Sequence, residues 1–187
     1  MNLELKKKRG TNKMINKISK KLIAVLSISF LLIAQLAGCG AVSKEPLTGV
    51  TRVVYMSTGG DVDRVSFYIL TDDLQVKGYE IQPYSDNKID VFSGEIPPDE
   101  YLEEEYSISQ DAWDKLMEDL GQNDFMSMPE ELPEVKAYDG SAMEIQIETA
   151  SGTHRTGGYL AGYGKGRYHK RFANISRAFF EAISNEE

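Results

Sequence analysis

The sequence predicts an α+β domain: an antiparallel β-sheet of about four to six strands, with two hairpins, and two helices packed on one face. Three observations predict it. Short runs between Val50 and Gln82 are rich in β-branched and aromatic residues and are separated by turn residues. The stretch "SQDAWDKLMEDLG" combines a cap with apolar residues at helical spacing. The C-terminal "RFANISRAFFEAIS" carries a single apolar stripe. The resulting order, β-β-β-(β)-α-β-β-α, suits a sheet whose helices are segregated to one side.

Each element follows from local chemistry. "VTRVVYMS" (50–57) ends at Gly59-Gly60, and "RVSFYIL" (64–70) puts Val65, Phe67 and Ile69 on one face. A turn at Asp72-Asp73 joins the latter to "QVKGYEIQ" (75–82), which makes a first hairpin. "IDVFS" (89–93) is a weaker strand signal, and "GEIPPDEYLEEEY" (94–106), with paired prolines and a charge run, reads as an acidic loop. Ser109 is placed to cap a helix, with Asp111 in its first turn and Gly121 just past its end. Trp113, Leu116, Met117 and Leu120 form its apolar face, and Ile108 with Trp113 fit a hydrophobic staple. "SAMEIQIETASGTHRTGGY" (141–159) reads as a second hairpin around Ser151-Gly152. In it Met143, Ile145 and Ile147 point inward and Glu144, Gln146 and Glu148 point to water, with Glu148 opposite Arg155. The last helix, 171–184, buries Phe172, Ile175, Phe179, Ala182 and Ile183.

The front of the chain has a different character. Residues 1–38 hold eight bases (Lys6, Lys7, Lys8, Arg9, Lys13, Lys17, Lys20 and Lys21) and one acid, Glu4, followed by a mostly apolar run from Leu22 to Ala37. Basic region, apolar region and small residues, in that order, form a secretory signal. Met14 would serve as well as Met1 for its start. The apolar run is broken by Gln35 and falls short of the roughly 20 apolar residues a spanning helix needs. The four residues Leu36-Ala37-Gly38-Cys39 resemble the lipobox of bacterial lipoproteins, and Cys39 is the only cysteine. That resemblance implies cleavage between Gly38 and Cys39 and attachment of lipid (a diacylglycerol, with acyl chains such as palmitate) to the Cys39 thiol. With its one thiol so used, the domain would have no disulfide and would stand on its core alone. "CGAVSKEPLTG" (39–49) then reads as a polar tether, and 50–187 as one globular domain. From "ISQDAW" through "NDFMSMPEEL" and "YDGSAMEIQIETASG" the body resembles small lipoprotein domains of unknown function, which implies no activity.

Charge excludes one class of partner. The chain holds 21 bases and 29 acids; without the eight and one of residues 1–38, residues 39–187 keep 13 and 28, a formal net charge of −15. Such a body is repelled by nucleic acid. The charge is also polarised. Residues 90–148 hold eighteen acids against Lys115 and Lys136, whereas 153–177 hold six bases, two histidines and no acid.

No stretch defines an active site. A nucleophile needs an adjacent base, the thiol is assigned to lipid, and no G-x-S-x-G occurs. His154 and His169 lie among Arg155, Lys170 and Arg171, where positive charge disfavours a metal cation, so both read as solvated. "GGDVDR" resembles the start of a calcium loop, but Val65 takes the third ligand position. "GYLAGYGKGRYHKR" (158–171) is not a P-loop: the spacing from Gly158 to Gly164-Lys165 is one residue too long, and Gly166 replaces the Mg²⁺-binding Ser or Thr. Its glycines and bases ahead of a helix instead nominate Lys165, Arg167, Lys170 and Arg171 as anion-binding candidates, with internal compensation of the acidic face as the alternative.

The expectation is therefore an acidic, lipid-anchored protein on the outer side of a bacterial membrane in the cell envelope. It would act as a non-enzymatic binding or interaction domain with no cofactor or metal. Its partners would be the membrane, through Cys39, and an envelope protein, an anionic lipid or a wall polymer. The alternatives are an envelope hydrolase using carboxylates the sequence does not single out, and a purely structural lipoprotein.

Overall fold

The computed structural model describes residues 45–59, 63–136 and 139–184. Six strands form one antiparallel sheet: β1 (Val50–Thr58), β2 (Val65–Thr71), β3 (Gln75–Ile81), β4 (Leu102–Ser107), β5 (Ala142–Thr149) and β6 (Gly152–Tyr159). Their spatial order is β4-β3-β2-β1-β5-β6, with every pairing antiparallel. Two helices, α1 (Gln110–Gln122) and α2 (Arg167–Ser184), complete the α+β fold.

The helices share one face of the sheet. Val53, Tyr55, Leu70, Val76, Ile145 and Ile147 from the strands pack with Trp113, Leu116 and Leu120 of α1 and Phe172, Ile175 and Phe179 of α2. The α1 stripe is the one its sequence spacing predicts. Ser109 accepts a hydrogen bond from the Ala112 amide, as an N-cap should. The helices run antiparallel. Arg171, near the start of α2, reaches Asn123 at the end of α1, and Ala182 lies beside Ser109 and Asp111. The C-terminus of α2 reaches the β4 edge, where the Tyr106 hydroxyl donates to the Ile183 carbonyl.

The opposite face is buried as well. Val54, Val65, Phe67, Ile69, Tyr79 and Ile81 form a second core, closed by Tyr84, Ile89, Val91, Phe92 and Tyr101 from the long β3–β4 connection. The apolar run Val53-Val54-Tyr55-Met56 marks β1 as a central strand that buries both faces. Polar groups fasten the connection. Arg52 pairs with Glu148 at 2.6 Å and donates to the Val91 carbonyl at 3.1 Å. Gln146, only 5% exposed, donates to the Phe92 carbonyl at 2.9 Å.

Several expectations are corrected. "IDVFS" is not a strand: Val91–Ser93 is a 3-10 turn, capped by the Asp90 side chain. The acidic loop contains β4, whose glutamates lie on the outermost strand, where a charged edge discourages pairing with another chain. The second hairpin turns at Ala150-Ser151, because Thr149 pairs with Gly152. Glu148 therefore lies opposite Thr153 and bonds to Arg52, whereas Arg155 pairs with Glu144 at 3.5 Å and stacks over Phe92. Gln146 faces the second core and not water. α2 begins a turn early, at Arg167.

Gly121 is not past the end of α1 but inside it; Asn123 is the C-cap. A Cβ at Gly121 would lie 2.0 Å from the Glu45 carbonyl oxygen. Glycine is used here so that the chain leading into β1 can cross the helix at close range. The Leu47 amide donates to the Met117 carbonyl at 2.9 Å, and the Leu47 side chain packs on the core. The tether is accordingly seated on the domain from Glu45 onward.

Candidate functional site

Cys39, the predicted lipid attachment point, lies outside the described residues, as do 1–38 and most of the tether. The site can be built from Glu45, where the chain is seated on α1, and from the basic segment that opens α2.

The four predicted anion-binding residues divide into two kinds. Lys165, Arg167 and Lys170 are exposed. Arg167 donates to the Tyr168 hydroxyl at 2.7 Å and lies over that ring. Arg171, with 18% of its side chain exposed, is used internally. Its guanidinium donates to the carbonyls of Asn123 and Asp124 and to Ser127 Oγ, and pairs with the Asp124 carboxylate at 3.0 Å. Asn123 is the C-cap of α1 and Asp124 follows it, so the guanidinium sits at the negative pole of that helix, which has no basic residue in its own last turn. Antiparallel packing thus lets Arg171, poorly placed against the dipole of α2, serve α1. The structure brings the four bases to one end of the helix layer but leaves only three facing solvent.

Neither histidine is solvated as the sequence suggested. His169 is 3% exposed, and its Nε2 is 2.8 Å from the Pro133 carbonyl. Gly164 lies against its ring, where a Cβ would come within 2.3 Å of Cδ2. The imidazole fastens the 129–136 segment to α2. This segment also runs beside β6: the Leu132 amide donates to the Gly157 carbonyl, and the Gly157 amide to Glu130. His154 packs edge-on to Phe125.

Beside these anchors lies the loop between β6 and α2. Tyr163 is 73% exposed, at its tip, between Gly162 and Gly164. Met126, next to the Arg171 partner Ser127, is also exposed. Sequence reasoning saw the bases and glycines but did not single out these two apolar groups. The signal it passed over was an aromatic residue set between glycines in a loop.

Other concavities offer little chemistry. A polar groove of about 400 Å³ separates the outer sides of α1 and α2, lined by Lys115, Asp119, Arg177 and Glu181 among others. A second, of about 260 Å³, lies between the β3–β4 connection and the sheet, around Phe67, Tyr84, Phe92 and Arg155. Among the described residues no three His, Cys, Asp or Glu side chains are grouped to hold a metal ion. No helix among them is long and apolar enough to cross a membrane. The chain matches no model of a known protein family and no curated protein.

Proposed function

We propose that this chain is a lipoprotein of the bacterial envelope, held outside the cytoplasm by lipid on Cys39, whose domain serves as a non-catalytic binding or interaction module. The observation that carries the reading is the order of basic leader, apolar run and Leu36-Ala37-Gly38-Cys39. Support for a binding role comes from the exposed bases Lys165, Arg167 and Lys170, which stand beside the exposed Tyr163.

The experiment is paired fractionation and fatty-acid labelling of the wild type and Cys39→Ala. The wild type should incorporate label and sediment with membranes. The variant should take up none and be released or held unprocessed, and undiminished label in it would rule the reading out. A crosslinked pull-down from intact cells then identifies the partner. A hydrolytic activity of the purified protein, lost on changing one carboxylate, would replace the binding reading with the enzymatic one.

A further inference from the structure

We infer that the end of the domain formed by Tyr163, Lys165, Arg167 and Lys170 rests on the anionic headgroups of the membrane into which the Cys39 lipid is inserted. This rests on the lipoprotein reading and adds an orientation to it. Three independent observations lead there.

The first is the length of the tether. Five residues lie between Cys39 and Glu45, and the six steps from one to the other, at roughly 3.3–3.6 Å each, reach about 22 Å at most. Glu45 sits against Gly121 at the C-terminal end of α1, so that end of the helix layer is the one held close to the bilayer. The second is charge. Arg171 joins the same end of α1 to the first turns of α2, which carry exposed Arg167 and Lys170, with Lys165 just before them. The glutamates of β4 lie at the opposite edge of the sheet, the edge the other end of α2 reaches. The third is Tyr163 itself. An exposed tyrosine between glycines and beside lysine and arginine matches the amphipathic side chains that settle at headgroup level.

The surface is narrow. Glu130, Glu131 and Glu134, in the segment that His169 and Gly157 hold beside it, are exposed, as is Glu45 at the end of α1, while Asp124 is paired with Arg171. The contact is therefore confined to the loop and the first turn of α2, and with a domain of net charge −15 it is weak and salt-sensitive.

The test uses the full lipidated protein reconstituted into vesicles. Because Cys39 is the only native cysteine and is acylated, Gly166→Cys supplies a single thiol for a fluorophore. The site accepts a side chain, since a Cβ there meets only His169 Cδ2, at 3.8 Å. Glu103→Cys, on β4, is the control. In vesicles of phosphatidylcholine mixed with phosphatidylglycerol, headgroup spin-labelled lipid should quench the probe at 166 and spare the one at 103. Quenching should be lost in phosphatidylcholine alone, at about 1 M salt where the Debye length is about 3 Å, and in the variant combining Tyr163→Ser with Lys165→Gln, Arg167→Gln and Lys170→Gln. Unchanged Trp113 emission in that variant shows that the fold is intact. Equal quenching at 166 and 103, or quenching at 166 indifferent to anionic lipid and to the four substitutions, overturns the orientation and leaves the anchor standing. Release of the 166 probe by a soluble glycerol-phosphate polymer would assign the cations to a wall polymer and likewise overturn it. A mass measurement on the same sample that finds Cys39 without lipid overturns anchor and orientation together.

Discussion

Arg171→Gln removes the guanidinium that bonds to the end of α1 and should cost the domain about 2–3 kcal/mol. Arginine at this position donates to the carbonyls of Asn123 and Asp124 and pairs with the Asp124 carboxylate. Hydrogen bonds from a charged donor contribute about 1.5–3 kcal/mol in mutational series. A cation in the last turn of a helix adds roughly 0.3–1 kcal/mol, and more when partly buried. The two effects overlap, and glutamine keeps one short donor, so the sum is less than the parts. With an unfolding entropy of about 2.1 cal/mol/K per residue, the loss corresponds to a Tm lower by about 7–10 °C for a domain of this size. Urea or thermal melts followed through Trp113, which is buried in α1, measure it directly. Lys170→Gln is the matched control: its side chain is exposed, and such surface changes stay within about 0.5 kcal/mol. Arg171→Lys, which keeps charge but loses the planar fork, should fall between. A double-mutant cycle with Asp124→Asn should show coupling of about 0.5–3 kcal/mol. If Arg171→Gln melts with Lys170→Gln, the guanidinium does not serve α1, and the account of the basic cluster given above is wrong.

Burial pushes the hydroxyl of Tyr55, 4% exposed, up to about 12, with Tyr163 and Tyr68 adding to the effect. A raised folded-state value means that stability is fully present below the ordinary value near pH 10 and is lost as pH rises toward 12, on the order of 3 kcal/mol from this group. Tyr55→Phe should therefore flatten the alkaline fall in Tm, and an unchanged fall would contradict the assignment. Gly157 has φ +155°, and a Cβ there would lie 2.2 Å from the Met143 carbonyl oxygen. Gly157→Ala should thus destabilise by about 3 kcal/mol or more in urea, and a neutral result would refute the close approach of β5 and β6. Gly121→Ala should raise helix propensity by about 1 kcal/mol yet push Glu45 off α1. Faster hydrogen exchange at the Leu47 amide is the expected signature, and unchanged exchange would show that the tether is not seated there.

Most of the fold was legible because its elements carry their own periodicity. β1, β2, β3, the β5–β6 hairpin and the α1 stripe all follow from spacing that neighbours within a few residues decide. β4 was not legible: its central Glu103-Glu104-Glu105 alternates nothing, since an edge strand leaves both faces partly in water. The second core was hidden for a related reason. Tyr84, Ile89, Val91 and Phe92 are scattered through an irregular connection, and the groups that pin it down, among them Asp63, Arg52, Gln146 and Arg155, come from elsewhere in the sequence. At the candidate site, the bases could be named from composition, but their division could not. Whether a cation such as Arg171 faces solvent or Asp124 depends on how two helices 45 residues apart in sequence are packed. The histidines misled for the same reason, because the partner of His169 is the distant Pro133 carbonyl. Gly121 read as a helix terminator because Gly usually is one, whereas here it makes room for Glu45.

The claim on which the functional account turns is that Cys39 is the first residue of the working protein and carries lipid. Mass spectrometry of the N-terminal peptide, taken from protein extracted from membranes, tests it most directly. The account predicts a peptide beginning at Cys39 with the mass of a diacylglycerol added to its thiol. A membrane or soluble form that retains residues 1–38, or that shows Cys39 as a free thiol, would contradict it.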